Sequence, residues 1–228
     1  ASEAYKLLRT NLTFSFTDED TRRVIGVTSS LKGEGKSITA ANLAYTIAET
    51  GKKVLLMECD LRLPTVAKRM SLETSPGLSN LLVGLNTVSE VIQRGILQPT
   101  LDIIVAGDVP PNASELLESS RMQYALDKLS EYYDYIILDL PPVTVVADAL
   151  VASRLATGMV VVVRQDCATK AALAETMRQM RYANAKVLGF VFNSVDGSEH
   201  SYQKHYYKYG YGYGYVYARK SEQENKNG

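Results

Sequence analysis

The sequence lacks Trp, has only two Cys and carries no net charge, since 25 Lys or Arg balance 25 Asp or Glu among its 228 residues. A neutral chain has no general attraction to nucleic acid or to an anionic membrane. Cys59 and Cys167 lie within or next to apolar runs and far from both His residues, so we expect two reduced thiols rather than a zinc site. No run approaches the roughly 18 apolar residues of a membrane-spanning helix, and the N-terminus shows no signal-peptide pattern. The composition therefore predicts a soluble, cytoplasmic protein.

Short runs of Val, Ile and Leu alternate with helical patterns along most of the chain. Strands are predicted at residues 24–28, 54–58, 103–105, 135–139, 159–163 and 187–193. Helices are predicted at residues 37–49, 114–117, 121–132, 147–156 and 169–183. Because the strands are apolar without period-two alternation, we expect a mostly parallel sheet, buried on both faces and flanked by helices. The predicted fold class is α/β.

The two ends of the chain differ from this α/β body, to which we assign residues 17–197. The pattern in residues 1–16 predicts a helix that directs toward the body Ala4, Tyr5, Leu7, Leu8 and Leu12. Residues 198–228 are rich in Tyr, Gly and Lys and have no apolar periodicity, so they predict a flexible tail. Of the 15 Tyr in the chain, eight lie there: Tyr202, Tyr206, Tyr207, Tyr209, Tyr211, Tyr213, Tyr215 and Tyr217.

The segment between the first strand and the first long helix is the most specific signal in the sequence. It follows the phosphate-binding pattern G-x-x-x-x-G-K-[ST], with Ser30 in place of the first Gly. Gly33 and Gly35 allow backbone N–H groups to curl around phosphate oxygens at a helix N-terminus. Lys36 reaches the β- and γ-phosphates, and the hydroxyl of Ser37 ligates Mg²⁺. The pattern predicts a P-loop NTPase fold, and the predicted nucleotide-binding residues are Ser30, Lys32, Gly33, Glu34, Gly35, Lys36, Ser37 and Ile38.

Charged side chains follow two other predicted strands. Glu58, Asp60 and Arg62 come at the end of the second strand, and Asp139 ends the strand at residues 135–139. Ligands of an open parallel sheet bind outside the carboxyl ends of its strands, so we expect these carboxylates to converge on the phosphate loop. With the hydroxyl of Ser37 in the loop, the sequence therefore predicts that Asp139 belongs to a Mg²⁺ site.

Together these motifs resemble the Walker A, A′ and B motifs of the bacterial tyrosine kinases that govern capsular and exopolysaccharide synthesis. Residues 3–11, 76–82 and 110–117 and the Tyr-rich C-terminus are similar to further segments of that family, so the resemblance covers essentially the whole chain. It implies an ATP- and Mg²⁺-dependent protein-tyrosine kinase that autophosphorylates the eight Tyr of its tail, in a neighbouring subunit rather than in its own. As composition alone, the Tyr and Gly alternation equally fits a self-associating segment.

The resemblance also implies a role for each matching residue. Lys36 would stabilise the transferring phosphoryl charge, while Asp60 and Asp139 would hold Mg²⁺, Asp139 directly or through a water. Glu58 stands where the family has an acidic residue, usually Asp, that is proposed to accept the Tyr hydroxyl proton. The extra methylene of Glu alters its reach, which matters for a general base. Arg62 would steady the carboxylates or the phosphates, with an ordinary surface Arg as the alternative.

Two further sites follow from the same resemblance. Asn193, at the end of the last predicted strand, matches a position that contacts adenine in related ATPases. Glu3, Lys6 and Arg9 resemble the family's E-x-x-R-x-x-R motif, which joins subunits into a ring, with Lys6 in place of one Arg. The alternative for these three residues is a solvated helix face with an i,i+3 ion pair.

The resemblance implies partners besides a second copy of the chain. Kinases of this kind without a membrane span depend on the cytoplasmic tail of a transmembrane polysaccharide co-polymerase, which recruits and activates them at the inner face of the cell membrane. Sugar-nucleotide enzymes are expected as further substrates, and nucleic acid is not an expected partner. Because residue 1 is Ala rather than Met, the chain is alternatively the cytoplasmic domain of a membrane-spanning version.

The plasmid-partition and division-site ATPases share the same phosphate loop, and a nucleotide-dependent switch is therefore the alternative function. Those ATPases resemble each other in a signature Lys five residues before the catalytic one. That position is Leu31 in this sequence, and Lys32 lies one place away from it. The relatives also lack a terminal Tyr array, so both features favour the kinase.

Overall fold

The computed structural model describes residues 3–16 and 23–195 of the chain, and the eight Tyr of the tail lie outside them. These residues form a seven-stranded sheet in the order β3-β4-β2-β5-β1-β6-β7. The strands are β1 Val24–Ser29, β2 Val54–Glu58, β3 Ile92–Gln93, β4 Leu101–Ile104, β5 Tyr135–Asp139, β6 Gly158–Arg164 and β7 Val187–Asn193. Neighbouring strands are parallel except for β3, which pairs antiparallel with β4. The predicted α/β class with a mostly parallel sheet is confirmed.

Nine helices are described around this sheet within the same residues. They are α1 Glu3–Phe14, α2 Lys36–Ala48, α3 Val66–Met70, α4 Leu78–Val83, α5 Val88–Val91, α6 Ala113–Glu118, α7 Ser120–Ser130, α8 Asp148–Ser153 and α9 Lys170–Tyr182. None of the helices described is long and apolar enough to cross a membrane. The sequence pattern locates five of the helices downstream of α1 to within three residues at each end, but it misses α3, α4 and α5, which are at most six residues long.

The central strands are covered on both faces because successive side chains alternate between two hydrophobic clusters. Leu55 and Met57 of β2 pack in the cluster that contains residues of α6, α7 and α8, whereas Val54 and Leu56 pack in the cluster that contains residues of α2. All four side chains are fully buried. A strand that buries both faces has no polar side to alternate with an apolar one, which explains the continuous apolar runs.

The expectation of burial on both faces is wrong for the last strand. β7 lies at the edge of the sheet, and Phe190 and Phe192 are 52% and 48% exposed. An edge strand is paired on one side and covered less completely, so its apolar sequence does not guarantee burial. Strand order, which decides this, is set by long-range pairing and not by the local pattern.

The helix α1 packs on α2 through fewer side chains than the sequence pattern predicts. Leu12 is buried, and Tyr5 and Leu8 are partly buried. The expected inward direction is wrong for Ala4 and Leu7, which are exposed, Leu7 by 62%. The contacting stripe of a single helix is narrower than the apolar positions of α1, because two successive residues are about 100° apart around the axis.

Candidate active site

The phosphate loop joins β1 to α2 and has the backbone geometry that its glycines permit. Gly33 and Gly35 have φ angles of 87° and 95°, in the left-handed region that residues with a side chain rarely adopt. Gly35 is also the residue that precedes α2, and a Cβ atom placed on it would lie 2.1 Å from Nδ2 of Asn193. The backbone conformation therefore requires glycine at this position, and a larger residue would also displace the Asn193 side chain.

Side chains from β6 and β7 hold the phosphate loop from outside. The buried carboxylate of Glu34 accepts the backbone N–H of Leu31 at 2.6 Å and, with its other oxygen, that of Arg164 at 3.4 Å. The guanidinium of Arg164 donates to the carbonyl of Gly33 at 3.1 Å, and Asn193 Nδ2 donates to the carbonyl of Glu34 at 2.9 Å. These bonds hold the loop in the conformation that the structure describes. The adenine contact of Asn193 stays a prediction.

The remaining loop residues divide into buried supports and exposed positions. Ser30, which replaces the first Gly of the pattern, is buried, and its hydroxyl is bonded by Thr176 Oγ1 at 2.9 Å. The carbonyl of Ser30 accepts the hydroxyl of Thr144 at 2.6 Å. Lys32 and Ile38 are exposed beside the loop, Ile38 by 46%. The Ser at position 30 therefore anchors the loop on α9 and on the segment after β5.

The structure brings Lys36, Asp60 and Asp139 together at the carboxyl edge of the sheet. Glu58 and Asp139 are paired in register at the ends of β2 and β5. The ammonium of Lys36 lies 2.9 Å from Oδ2 of Asp60 and 3.7 Å from Oδ1 of Asp139, and it is 3.4 Å from the hydroxyl of Ser37. The loop lysine and the two strand-end carboxylates are thus one cluster, reached from three separate stretches of the sequence.

Asp139 is a buried carboxylate whose oxygens have no hydrogen-bond partner within the described residues. Burial raises its pKa to about 6, although Lys36 and the nearby hydroxyl of Ser37 oppose the shift. The Ser37 hydroxyl is close enough to affect this pKa, but it does not form a hydrogen bond with the carboxylate. Two buried acceptor oxygens that receive no hydrogen bond suit a cation or a phosphate-bound metal.

The donor set fits Mg²⁺ bound together with a nucleotide. Ser37, Asp60 and Asp139 offer a hydroxyl and two carboxylates, all oxygen ligands. No group of three or more His, Cys, Asp or Glu that would hold a metal is found in the described part of the chain. Mg²⁺ sites of nucleotide enzymes commonly use one or two carboxylates and fill the other positions with water and substrate phosphates, so such a group is not required.

Glu58 is fully buried and its carboxylate is occupied by the backbone. Oε1 accepts the N–H groups of Thr65 at 2.5 Å and Val66 at 2.7 Å, and Oε2 accepts that of Ala106 at 3.2 Å. Its role as the base that accepts a Tyr proton therefore stays a prediction. As the structure describes it, the side chain supports the start of α3 and the end of β4.

Arg62 pairs with a buried carboxylate that the sequence does not single out. Its Nε and one Nη donate to Asp148 at 2.8 and 3.2 Å, and the same Nη donates to Ser114 Oγ at 3.1 Å. Ser114 in turn donates a short hydrogen bond to Asp148, whose side chain is completely buried. Asp148 begins α8, so it reads as an ordinary first-turn acid, and only its burial reveals that it needs a cation.

The three charged residues of α1 make contacts within the chain. Lys6 pairs with Glu3 at 2.7 Å on the exposed surface, and Arg9 donates to the carbonyl of Thr46 in α2 at 2.8 Å. The i,i+3 pair agrees with the alternative of a solvated helix face. Their predicted part in joining subunits stays a prediction.

The cavity of about 570 Å³ that lies among Arg23, Lys53, Glu131, Tyr132 and Asp134 is unrelated to this site. These residues precede β1, β2 and β5, so the cavity is at the amino edge of the sheet, opposite the phosphate loop. Catalytic and nucleotide groups of parallel sheets gather at the carboxyl edge. The shape of the surface alone would therefore point to the wrong end of the molecule.

Comparison with known proteins decides the family. Residues 22–187 match the family model of the AAA domain. Over 205 residues the chain is 38% identical to the tyrosine-protein kinase YwqD of Bacillus subtilis (strain 168), which covers 90% of this chain and 86% of that protein. The chain belongs to the AAA domain family and to the bacterial tyrosine-protein kinases. The kinase is also 37% identical over 200 residues to the putative tyrosine-protein kinase EpsB of Ralstonia solanacearum, of which it spans only 26%.

Solved structures agree with this assignment. The kinase matches the kinase domain of the Escherichia coli tyrosine kinase ETK with a TM-score of 0.82 at 31% identity, over 88% of this chain and 78% of that one. It matches the septum site-determining protein MinD of Pyrococcus horikoshii OT3, complexed with Mg-ADP, with a TM-score of 0.64 at 22% identity, over 78% and 72% of the two chains. The second likeness shows the P-loop NTPase fold alone.

Proposed function

We propose that this kinase transfers the γ-phosphoryl group of Mg-ATP to Tyr hydroxyls in its own C-terminal cluster, residues 202–217. The observation that carries the proposal is the cluster of Lys36, Asp60 and Asp139 at the phosphate loop, in a chain with eight closely spaced Tyr within residues 202–217. A phosphoryl donor site and a dense group of acceptor hydroxyls in one chain are what autophosphorylation requires.

Each residue of the cluster has a task in phosphoryl transfer. The backbone N–H groups at the start of α2 and the ammonium of Lys36 bind and orient the phosphates, and they stabilise the charge that develops on the transferring group. Ser37, Asp60 and Asp139 would hold Mg²⁺, which neutralises charge on the β- and γ-phosphates when bound. Because Lys36 lies between the two carboxylates, it also offsets their mutual repulsion before the cation arrives.

We place the acceptor Tyr on a neighbouring subunit of a ring-like oligomer. The support is the family resemblance, including the partial match of Glu3, Lys6 and Arg9 to a ring-forming motif. Both Lys6 and Arg9 are engaged within the protomer, so this contact requires them to exchange partners or to bind with a second donor. Arg has five N–H donors, and Arg9 uses one on Thr46, so it retains donors for a partner subunit.

We further propose that phosphorylation of the cluster regulates the synthesis and export of a capsular or extracellular polysaccharide. The family resemblance supports a cytoplasmic kinase, recruited to the inner face of the membrane by the cytoplasmic tail of a transmembrane co-polymerase. Sugar-nucleotide enzymes would be further substrates. The alternative, a nucleotide-dependent switch, is not favoured, because the septum site-determining protein MinD is only 22% identical to this chain and shares the fold alone.

Substitution of the loop lysine tests the proposed function. Purified wild-type chain and the Lys36→Met variant are incubated with Mg-ATP, with and without a candidate co-polymerase tail peptide, and probed for phosphotyrosine. We expect phosphotyrosine in the wild type and none in the variant, while circular dichroism at the assay temperature shows that both proteins are folded. The control Lys170→Met removes an exposed lysine at the start of α9 and should retain phosphorylation. Wild-type ATP hydrolysis without phosphotyrosine under any of these conditions would disprove the kinase.

A further inference from the structure

Glu58 and Thr65 are joined across a loop that begins and ends at the candidate active site. Oε1 of Glu58 accepts the backbone N–H groups of Thr65 and Val66 at 2.5 and 2.7 Å, and Oε2 accepts that of Ala106 at 3.2 Å. Both carboxylate oxygens are therefore bonded, and the side chain is fully buried. A fully buried carboxylate in this state is an anchor for backbone donors.

The anchored loop carries Asp60 at one end and Thr65 at the other. The backbone N–H of Leu63 donates to Oδ1 of Asp60 at 3.2 Å, which closes the first half of the loop. Thr65 precedes α3, and its own side chain makes no capping bond to that helix. Glu58 supplies the acceptor instead, so its carboxylate caps the N-terminus of α3. The hydroxyl of Thr65 is therefore not used to cap α3.

The hydroxyl of Thr65 faces the phosphate loop. Its Oγ1 lies 3.5 Å from Oγ of Ser37, the residue proposed to ligate Mg²⁺. Ser37 is in turn 3.4 Å from the ammonium of Lys36, which contacts Asp60. Thr65 is thus a neutral oxygen donor at the edge of the candidate metal site, brought there from a loop whose position depends on Glu58.

We propose that Thr65 contributes its hydroxyl to the Mg²⁺–nucleotide site beside Ser37, and that Glu58 is the positioning residue that holds Thr65 there. This inference rests on the proposed function, because it assumes that Mg²⁺ and nucleotide bind at the cluster. It assigns Glu58 a hydrogen-bonding task in place of proton transfer. A Glu is suited to this task, since its length lets both oxygens reach donors on α3 and at the end of β4.

The first test removes only the Thr65 hydroxyl. Calorimetry with ADP in the presence of Mg²⁺ and of chelator compares the wild type with Thr65→Val, which keeps the shape, and Thr65→Ser, which keeps the hydroxyl. We expect Thr65→Val to weaken Mg²⁺-dependent ADP binding by about tenfold, the usual effect of losing a hydrogen bond to a charged group. Thr65→Ser should bind like the wild type, and so should the control Thr74→Val, which changes an exposed Thr outside the site.

The second test separates positioning from proton transfer at Glu58. We expect Glu58→Gln to weaken Mg²⁺-dependent ADP binding together with phosphorylation, and the addition of Thr65→Val to this variant to cause little further loss. If Glu58→Gln binds Mg-ADP as the wild type does and loses only turnover, Glu58 acts as a base and the inference is wrong. Thr65→Val that binds Mg-ADP normally overturns it even if Glu58→Gln fails to fold.

The wild-type chain distinguishes a failure of the proposed function from a failure of the role of Thr65. If the wild-type chain shows no Mg²⁺-dependent nucleotide binding, the proposed function fails and the inference fails with it. If the wild type binds Mg-ADP and phosphorylates its tail while Thr65→Val is unchanged in both, only the role of Thr65 is disproved.

Discussion

The ammonium of Lys36 lies 2.9 Å from Oδ2 of Asp60, although 24 positions separate the two residues in the sequence. Both side chains are mostly buried, with 12% and 9% of their surface exposed, so the pair is shielded from solvent. Nucleotide phosphates must compete with Asp60 for this ammonium. A cation on Asp60 removes that competition, so Mg²⁺ and nucleotide should each favour binding of the other.

Substitution of Asp60 by Asn should separate these two effects. Without the Asp60 carboxylate, Lys36 retains only the longer 3.7 Å contact with Asp139, so phosphate meets less competition and ADP binding in chelator should become several-fold tighter than in the wild type. The gain in affinity on adding Mg²⁺ should largely disappear, because a cation ligand is lost. Calorimetric titration with ADP, with and without Mg²⁺, measures both quantities. If Mg²⁺ increases the ADP affinity of the variant by the same factor as that of the wild type, Asp60 does not have this role.

Asp139→Asn should stabilise the chain in the absence of nucleotide and Mg²⁺. The wild-type residue has a folded pKa of about 6 against an ordinary value of 3.8, so folding at pH 7 buries a charge that the unfolded chain solvates freely. A shift of this size corresponds to an upper limit of about 3 kcal/mol in the free energy of unfolding. Urea denaturation of both proteins at pH 7 measures it. Unchanged or lower stability of the variant at that pH would show that burial of the Asp139 charge does not destabilise the fold.

The same shift predicts how the advantage of the variant depends on pH. The folded protein binds the Asp139 proton more tightly than the unfolded chain does, so wild-type stability from this group increases as pH falls from about 6 toward 4. The difference between wild type and Asp139→Asn should shrink over that interval. Above about pH 6 it should be constant. Urea denaturation of both proteins at pH 4.5 to 8 and matched ionic strength tests whether the stability difference decreases as the pH falls.

Asp148→Asn should destabilise the fold through Arg62. The variant leaves the guanidinium without its buried counter-charge, and because Arg62 is 41% exposed we expect a loss of about 1–3 kcal/mol, below that of a fully buried pair. A double-mutant cycle with Arg62→Gln should show coupling, with the second substitution costing less in the Asp148→Asn background. Glu118→Gln, an exposed change on α6, is the control. Additive losses would show that the two side chains act independently.

Phosphorylation of the tail should dissociate the proposed ring-like oligomer. Residues 198–228 contain five Lys or Arg and three acidic residues, and each phosphotyrosine adds about −1.5 to −2 charges at pH 7. Several modified tails held close together in a ring would repel each other, so the assembly should dissociate as phosphate accumulates. Light scattering coupled to size exclusion, before and after incubation with Mg-ATP, measures this. An oligomer of constant mass despite full phosphorylation would contradict the charge mechanism.

Much of the site is predictable from the sequence because its signals are local. The phosphate loop is a contiguous pattern, and the rule that ligands bind at the carboxyl ends of parallel strands brings Asp60 and Asp139 to it. The groups that form hydrogen bonds with the carboxylates are harder to predict from the sequence. That Glu58 accepts backbone N–H groups from Thr65 and Ala106 depends on how two loops fold back, and no residue type marks a backbone donor.

Non-local pairing explains the other differences. Asp148 stands 86 positions from Arg62, and its burial rather than its sequence position shows that it requires a partner. The exposed Phe190 and Phe192 follow from the edge position of β7, which the strand order decides. The predicted adenine contact of Asn193 rests on family resemblance, whereas its hydrogen bond to the carbonyl of Glu34 becomes evident only from the packing of β7 against the loop.

In the proposed function, the active site of one subunit phosphorylates the tail Tyr of a neighbouring subunit. The most direct measurement mixes two variants of the 228-residue chain with Mg-ATP: Lys36→Met with an unchanged tail, and a chain with native Lys36 in which all eight tail Tyr are changed to Phe. Mass spectrometry then locates the phosphate. We predict phosphotyrosine within residues 202–217 of the Lys36→Met chain only when its partner is present. An unmodified tail in this mixture, under conditions in which the wild type phosphorylates itself, would contradict transfer between subunits.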